Sequence, residues 1–346
     1  MKRKRKHVVL FTIMAVFAIM CLPVCSFAGG AQHYPLGSEG PLMGMLPPPG
    51  LYSKTYFYYY SASDLKDNSG DTMRIGRHGA ELDHLRAYSI TPKLVWVSEK
   101  KILGWNYGQQ LLIPLVKLDM KLDTLGGSLH EDRFSIADIR YSPFFMSWHS
   151  KGGLLHAIAA LNFDLPTGSY KSDRFVNIGK NSWSISPGFA FTAFLPQNPK
   201  FSLSMFLQYA FNTSNDDYII GASQAAKIGN MALTGRRTHL TPGQEFMFDY
   251  SIDYGFTKDF RAGITGYYYH QITNDKTGLG TIENDKGKVF SIGPGAVYTY
   301  KNLFFDFHVN FETISKNRPQ GITSLFSIVY AFDFDKPKPV KKEETK

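Results

Sequence analysis

The sequence predicts an all-β protein, an up-and-down antiparallel transmembrane β-barrel of about twelve strands, with short turns on one rim and long loops on the other. Three observations carry this. Apolar and polar residues alternate with period two through one segment after another, as strands with two unlike faces require. The connections between these segments are by turns short and long. The chain also opens with an export signal.

The opening "MKRKRKHVVLFTIMAVFAIMCLPVCSFAGG" sets five cations before an apolar run, then the small-x-small pattern Ser26-Phe27-Ala28. The run Val8–Ala18 is short for a spanning helix and Pro23 breaks the stretch after it, so residues 1–28 read as a signal peptide cleaved after Ala28. Val24 before Cys25 does not suit lipoprotein processing. Both cysteines, Cys21 and Cys25, fall in the removed piece, leaving no disulfide, thiolate metal site or cysteine nucleophile. The same cut takes five of 38 basic residues and none of 29 acidic ones, so the balance falls from +9 to 33 − 29 = +4. That mild charge gives no argument for nucleic acid.

The predicted strands cover 50–62, 83–97, 104–121, 133–149, 153–165, 181–195, 200–212, 241–256, 259–271, 287–300, 302–314 and 321–334. Connections 97–104, 149–153, 195–200, 256–259 and 300–302 are short. Those at 62–83, 121–133, 165–181, 212–241, 271–287 and 314–321 are mostly longer and rich in Gly, Asn, Asp, Ser and Lys. A soluble β-sandwich shares the alternation but has no reason to sort its loops this way. Residues 50–334 are therefore assigned to the barrel, and the tail 335–346, rich in Lys, Glu and Pro, is expected to be disordered.

The faces follow from the alternation. In "LFFDFHVNFE" (303–312), Phe305, Phe307 and Phe311 share one face, and Asp306, His308 and Glu312 the other. In 241–256, Phe246 and Phe248 oppose Glu245, Asp249 and Asp253. In the last strand Phe326 and Phe332 share one face. Placing the rings in lipid and the polar face in a wet lumen makes Asp138, Arg140, His156, Glu245, Asp249, Asp253, Arg261, Asp306, His308 and Glu312 the candidate channel lining, with Tyr267 and Tyr269 above. The stretch "GYYYHQ" (266–271) reads as a strand end at an outer aromatic girdle.

The segment 29–49 is rich in Gly and Pro and lacks a period. It reads as a flexible leader, or as a plug that folds back into the barrel and carries Leu42, Met43, Met45 and Leu46. Methionines adapt to irregular apolar ligands. No metal ligand set, cofactor motif or catalytic residue is expected. The Asp306–His308–Glu312 line suits a channel lining, and "GSEG" (37–40) lacks the Lys and the strand–helix context of a phosphate loop. An outer-membrane lipid hydrolase would need a Ser–His pair at the lipid boundary, whereas Ser291 and Ser327 stand in unremarkable contexts.

The stretches "YPLGSEGPLMGMLPPPG" (34–50), "SPFFMSWH" (142–149), "LPTGSY" (165–170), "NIGKNSWS" (177–184), "FNTSNDD" (211–217), "GQEF" (243–246), "GYYYHQITND" (266–275), "GKVFSIGPGAVYTYKN" (287–302) and "NRPQG" (317–321) resemble a family of exported meta-pathway phenol degradation proteins. The resemblance covers most of the mature chain. It implies a Gram-negative outer-membrane barrel related to channels for hydrophobic or aromatic solutes, with outer-membrane lipid and those solutes as its partners. A structural or adhesive barrel that works through its loops is the other expectation. Neither the substrate nor the oligomeric state is written in the sequence.

Overall fold

The computed structural model describes residues 32–332. The signal peptide, residues 29–31 of the segment that follows it, residues 333–334 of the last predicted strand and the charged tail lie outside the described residues. Twelve barrel strands succeed one another in the chain: β1 (Gly50–Leu65), β2 (Ala80–Ile102), β3 (Trp105–Leu112, continued by Leu115–Thr124), β4 (Gly127–Ile136, continued by Ile139–His149), β5 (Leu155–Leu165), β6 (Ser184–Leu195), β7 (Asn198–Asn212), β8 (Glu245–Gly255), β9 (Phe260–Gln271), β10 (Lys288–Tyr300), β11 (Leu303–Lys316) and β12 (Pro319–Phe332). Each pairs antiparallel with its neighbour, and β1 pairs with both β2 and β12, so the sheet closes. Closure pairs the wall on both sides of each strand, as a spanning sheet requires because lipid offers backbone groups no partners; the projecting stretch Gly127–Ile136 pairs on one side only.

β3 and β4 are each interrupted once, near Pro114 and Ala137. Pro114 has no N–H to give the ladder, but its carbonyl accepts from Ala137 N at 2.9 Å, so the wall stays joined across the break. On one rim the connections are short: 103–104, 150–154, 196–197, 256–259 and 301–302. At 103–104 both Leu103 and Gly104 have positive φ, +52° and +85°, the conformation a two-residue hairpin demands.

Two loops differ from expectation. Residues 121–133 and 314–321 are not long loops; their strands run on past the barrel and turn only at 125–126 and 317–318. Hydrophobic packing drives the first extension, because Leu82, Met120 and Leu122 bury inward with Val176 of the neighbouring loop. The other loops on this rim fold further. Asn215–Ile219, Arg237–Thr241, Asp275–Thr277 and Gly280–Ile282 form a second small sheet, and a helix (Ala222–Ile228) packs against it through Ala225, Tyr218 and Ile220.

Side-chain orientation follows the alternation. Phe307, Phe311, Phe326 and Phe332 are exposed on the outer face, while Asp306, His308, Glu245 and Asp249 are buried inside. Phe246, Phe248 and Phe305 share the outer face but are half-buried. Phe248 stacks on Tyr268 at 5.3 Å and Phe305 on Phe326 at 6.3 Å, so neighbouring rings cover part of each. No described helix is long and apolar enough to cross a membrane; the apolar belt belongs to the strands.

Candidate functional site

Residues 32–49 run through the barrel interior from the long-loop rim to β1 at the short-turn rim. Gln32 accepts from Arg318 Nη2 at 2.5 Å beside the 317–318 hairpin, and Tyr52 of β1 donates to Pro48 O at 2.5 Å near the other end. Pro and Gly keep the segment from forming helix or ladder, so its backbone groups must find partners on the wall.

Asp249 is the central partner. Its carboxylate accepts from Gly37 N at 2.9 Å, from Glu39 N at 3.0 Å and from the Tyr34 hydroxyl. His308 Nε2 meets Gly37 O at 2.6 Å, and its Nδ1 lies 3.2 Å from Asp306. Lower down, Gly44 N donates to Thr192 Oγ1 at 3.0 Å. A Cβ on Gly40 would stand 2.7–2.9 Å from the Asp306 carboxylate and His308, which accounts for glycine there. Leu42 takes a positive φ of 65° and its carbonyl accepts from Met45 N at 2.9 Å, closing a tight turn at the apolar tip.

Glu39 carries the charge that fixes the segment. Its carboxylate meets Lys54 Nζ at 2.8 Å, Tyr56 Oη at 2.7 Å and Lys93 Nζ at 3.4 Å. Glu39→Gln removes the charge that Lys54 and Lys93 hold, so this variant should conduct more than the parent in planar bilayers at neutral pH. Equal conductance would mean that these ion pairs do not fix the segment.

The ten lining candidates divide by position. Asp138, Arg140, Asp306 and Glu312 border the cavity. Arg140 is clamped by Asp164 at 2.7 and 2.8 Å and lies over the Tyr34 ring at 5.2 Å. Asp138 accepts from Gly168 N and Lys180 N, at 2.8 and 2.9 Å, and faces His33 at 3.1 Å, so it anchors the 166–183 loop. Glu312 accepts from Tyr60 at 3.0 Å and Tyr267 at 2.8 Å.

Glu245, Asp249 and His308 are buried beneath the segment or the wall and do not reach the cavity. Glu245 is held by Tyr269 Oη at 2.7 Å. Asp253 and Arg261 pair at 2.5 Å near the short-turn rim, and His156 sits at that rim against His149 at 2.7 Å, also away from the cavity. "GYYYHQ" is split by the pleat: Tyr267 and Tyr269 are fully buried inside, so only the alternate residues of that stretch belong to an outer girdle.

Leu42, Met43, Met45 and Leu46 line a cavity of about 1010 Å³, facing Tyr58, Phe206 and Leu325 from the wall. Its lining extends from Tyr218 and Asp285 beneath the folded loops to Leu303 and Phe304 near the opposite rim. The volume is at the upper end of ordinary small-molecule sites. Lys54, Lys93, Glu39, Tyr34 and Asp164 are the partners that sequence reasoning missed. The one signal for them was a lone lysine on the inward parity of β1 and another on β2, both needing a counter-charge.

A family model described as "Putative MetA-pathway of phenol degradation" matches residues 64–328. No curated protein matches the sequence. Among solved structures, an outer membrane channel from Pseudomonas putida F1 is similar over 87% of this chain and 100% of its own, with TM-score 0.65 and 13% identity. That likeness shows the fold. The TodX monoaromatic hydrocarbon channel (deltaS2 mutant) covers 90% of this chain and 99% of its own at 10% identity and TM-score 0.41, a level that carries no argument.

Proposed function

The chain belongs to the family whose model it matches, and on that premise we propose that it is an outer-membrane channel for small hydrophobic or aromatic compounds, gated by its N-terminal segment. The single observation carrying this reading is the cavity around Leu42, Met43, Met45 and Leu46, apolar at this tip of the segment and lined on the wall by rings such as Tyr58 and Phe206 together with charged groups such as Arg140 and Asp306. Eight-stranded barrels are filled or hold one small ligand, and sixteen-stranded ones leave an open aqueous channel. Twelve strands enclose room for both a folded segment and a ring-sized solute. The long-loop rim faces outward and the short-turn rim the periplasm, as in barrels of this type. Solute enters beneath the folded loops, meets Met43 and Met45, and passes when the Glu39 contacts release.

Catalysis fits this interior less well. His308 is engaged by Asp306 and Gly37 O, and Ser291 by the Tyr267 backbone, so neither supplies a Ser–His pair. The folded sheet and helix at the long-loop rim favour a second reading, a structural or adhesive barrel that works through its loops. Uptake separates the two. Cells carrying the gene should accumulate a labelled monoaromatic compound faster than cells lacking it, and loop deletions that spare the barrel should leave that difference in place. Equal uptake in both strains would overturn the channel reading.

A further inference from the structure

On the outer face of the projecting β2–β3–β4 sheet, away from the lumen, His84, Asp119 and His130 bring three ligand atoms within 4.8 Å of one another. The register explains why. His84 of β2 and His130 of β4 both lie opposite Lys121 of β3, and Asp119 is two residues along β3 on the same face. The reverse face of these strands packs inward through Leu82, Met120 and Leu122, so the three side chains are fixed outward by the pleat. Tyr88 and Phe134, both exposed, lie on this face nearer the barrel body, which puts the cluster just beyond the apolar belt.

We propose that this cluster is a binding site for a divalent transition-metal ion of the zinc class, with His84 Nε2, Asp119 Oδ1 and His130 Nε2 as ligands and a fourth position open to water. His84 Nε2 and His130 Nε2 stand 3.2 and 2.9 Å from Asp119 Oδ1. Tetrahedral zinc with bonds of about 2.0–2.1 Å sets its ligands about 3.3 Å apart, so small side-chain adjustments admit the ion.

The contacts around the cluster point the same way. Asp83 Oδ2 lies 2.7 Å from His84 Nδ1, which holds the ring with Nε2 directed at Asp119 Oδ1. A carboxylate behind a histidine is also the usual outer support of a metal ligand. Arg86 approaches the other oxygen, Asp119 Oδ2, at 3.8 Å and leaves Oδ1 for the ion. Lys121 leans to Asp83 at 3.7 Å and Asp123 at 4.0 Å, so its charge is already countered. Two imidazoles select zinc-class ions over calcium and magnesium.

The test uses the tag-free full-length protein in detergent micelles, titrated with Zn²⁺ against a chromogenic chelator at pH 7.5. We expect one equivalent bound, at least tenfold weaker binding in His130→Ala and in His84→Ala, and severalfold weaker binding in Asp83→Asn. His149→Ala, which breaks the other close histidine pair, should bind as the parent does. His130 is the most exposed of the three, so its substitution leaves the barrel intact, and heat-modifiable migration on gels checks this for each variant. Binding unchanged in the His84→Ala/His130→Ala double variant, or lost in His149→Ala alone, would overturn the site. So would displacement of Zn²⁺ by equimolar Ca²⁺.

Discussion

Deleting residues 32–46 should raise single-channel conductance in planar bilayers severalfold, because it empties the lumen of Glu39, the Leu42–Leu46 tip and the hydrogen bonds to Asp249 and Thr192. Gly44→Ala offers a gentler version. A Cβ at that position would lie 2.2 Å from the Phe191 carbonyl carbon and 2.3 Å from Thr192 N, and that backbone belongs to a paired strand that cannot retreat. The segment must move instead, so this variant should conduct between parent and deletion. If the deletion conducts as the parent does, residues 32–46 do not control passage.

Asp164→Ala should be the most destabilising single change in the lumen. It strips Arg140 of a bidentate partner in a place where both side chains are nearly fully buried, at 9% and 3% exposure. Removing one member of a buried pair costs about 3–5 kcal/mol, chiefly because the remaining charge is left without compensation. Gln208 accepts one Arg140 N–H at 3.0 Å but brings no charge. Urea unfolding in micelles should show the loss as a lower midpoint. The double variant Arg140→Met/Asp164→Leu should recover most of it, since two apolar side chains of similar size leave nothing unpaired. A single variant no worse than the double would mean that water already solvates Arg140.

Strand count and side-chain orientation were readable because both rest on local periodicity. A one-residue slip would turn Phe305, Phe307 and Phe311 of "LFFDFHVNFE" into the lumen, so the pattern of its ten residues is enough to choose a face. The extensions of β3 and β4 were not readable, because Lys121–Arg133 is as polar as a loop on its outer face. What holds it as strand is Val176 and its neighbours, from a loop some forty residues away in sequence. The lining candidates lie on the inward face, but alternation gives no depth along the barrel. It could not separate Asp306 and Glu312, which border the cavity, from Asp253, Arg261 and His156, which brace the short-turn rim.

Local pattern was thus enough for a barrel of twelve strands, its outer apolar belt and the short turns of one rim, because pleat and turn chemistry act over a few residues. The course of residues 32–49 was settled by the assembled barrel, since a segment of Gly and Pro has no period and takes its path from distant partners. Asp249, Lys54, Lys93 and His308 meet Gly37 and Glu39 across as many as 271 positions of chain. The same holds for His84, Asp119 and His130: three strands bring them together, and no spacing within one strand could have announced it.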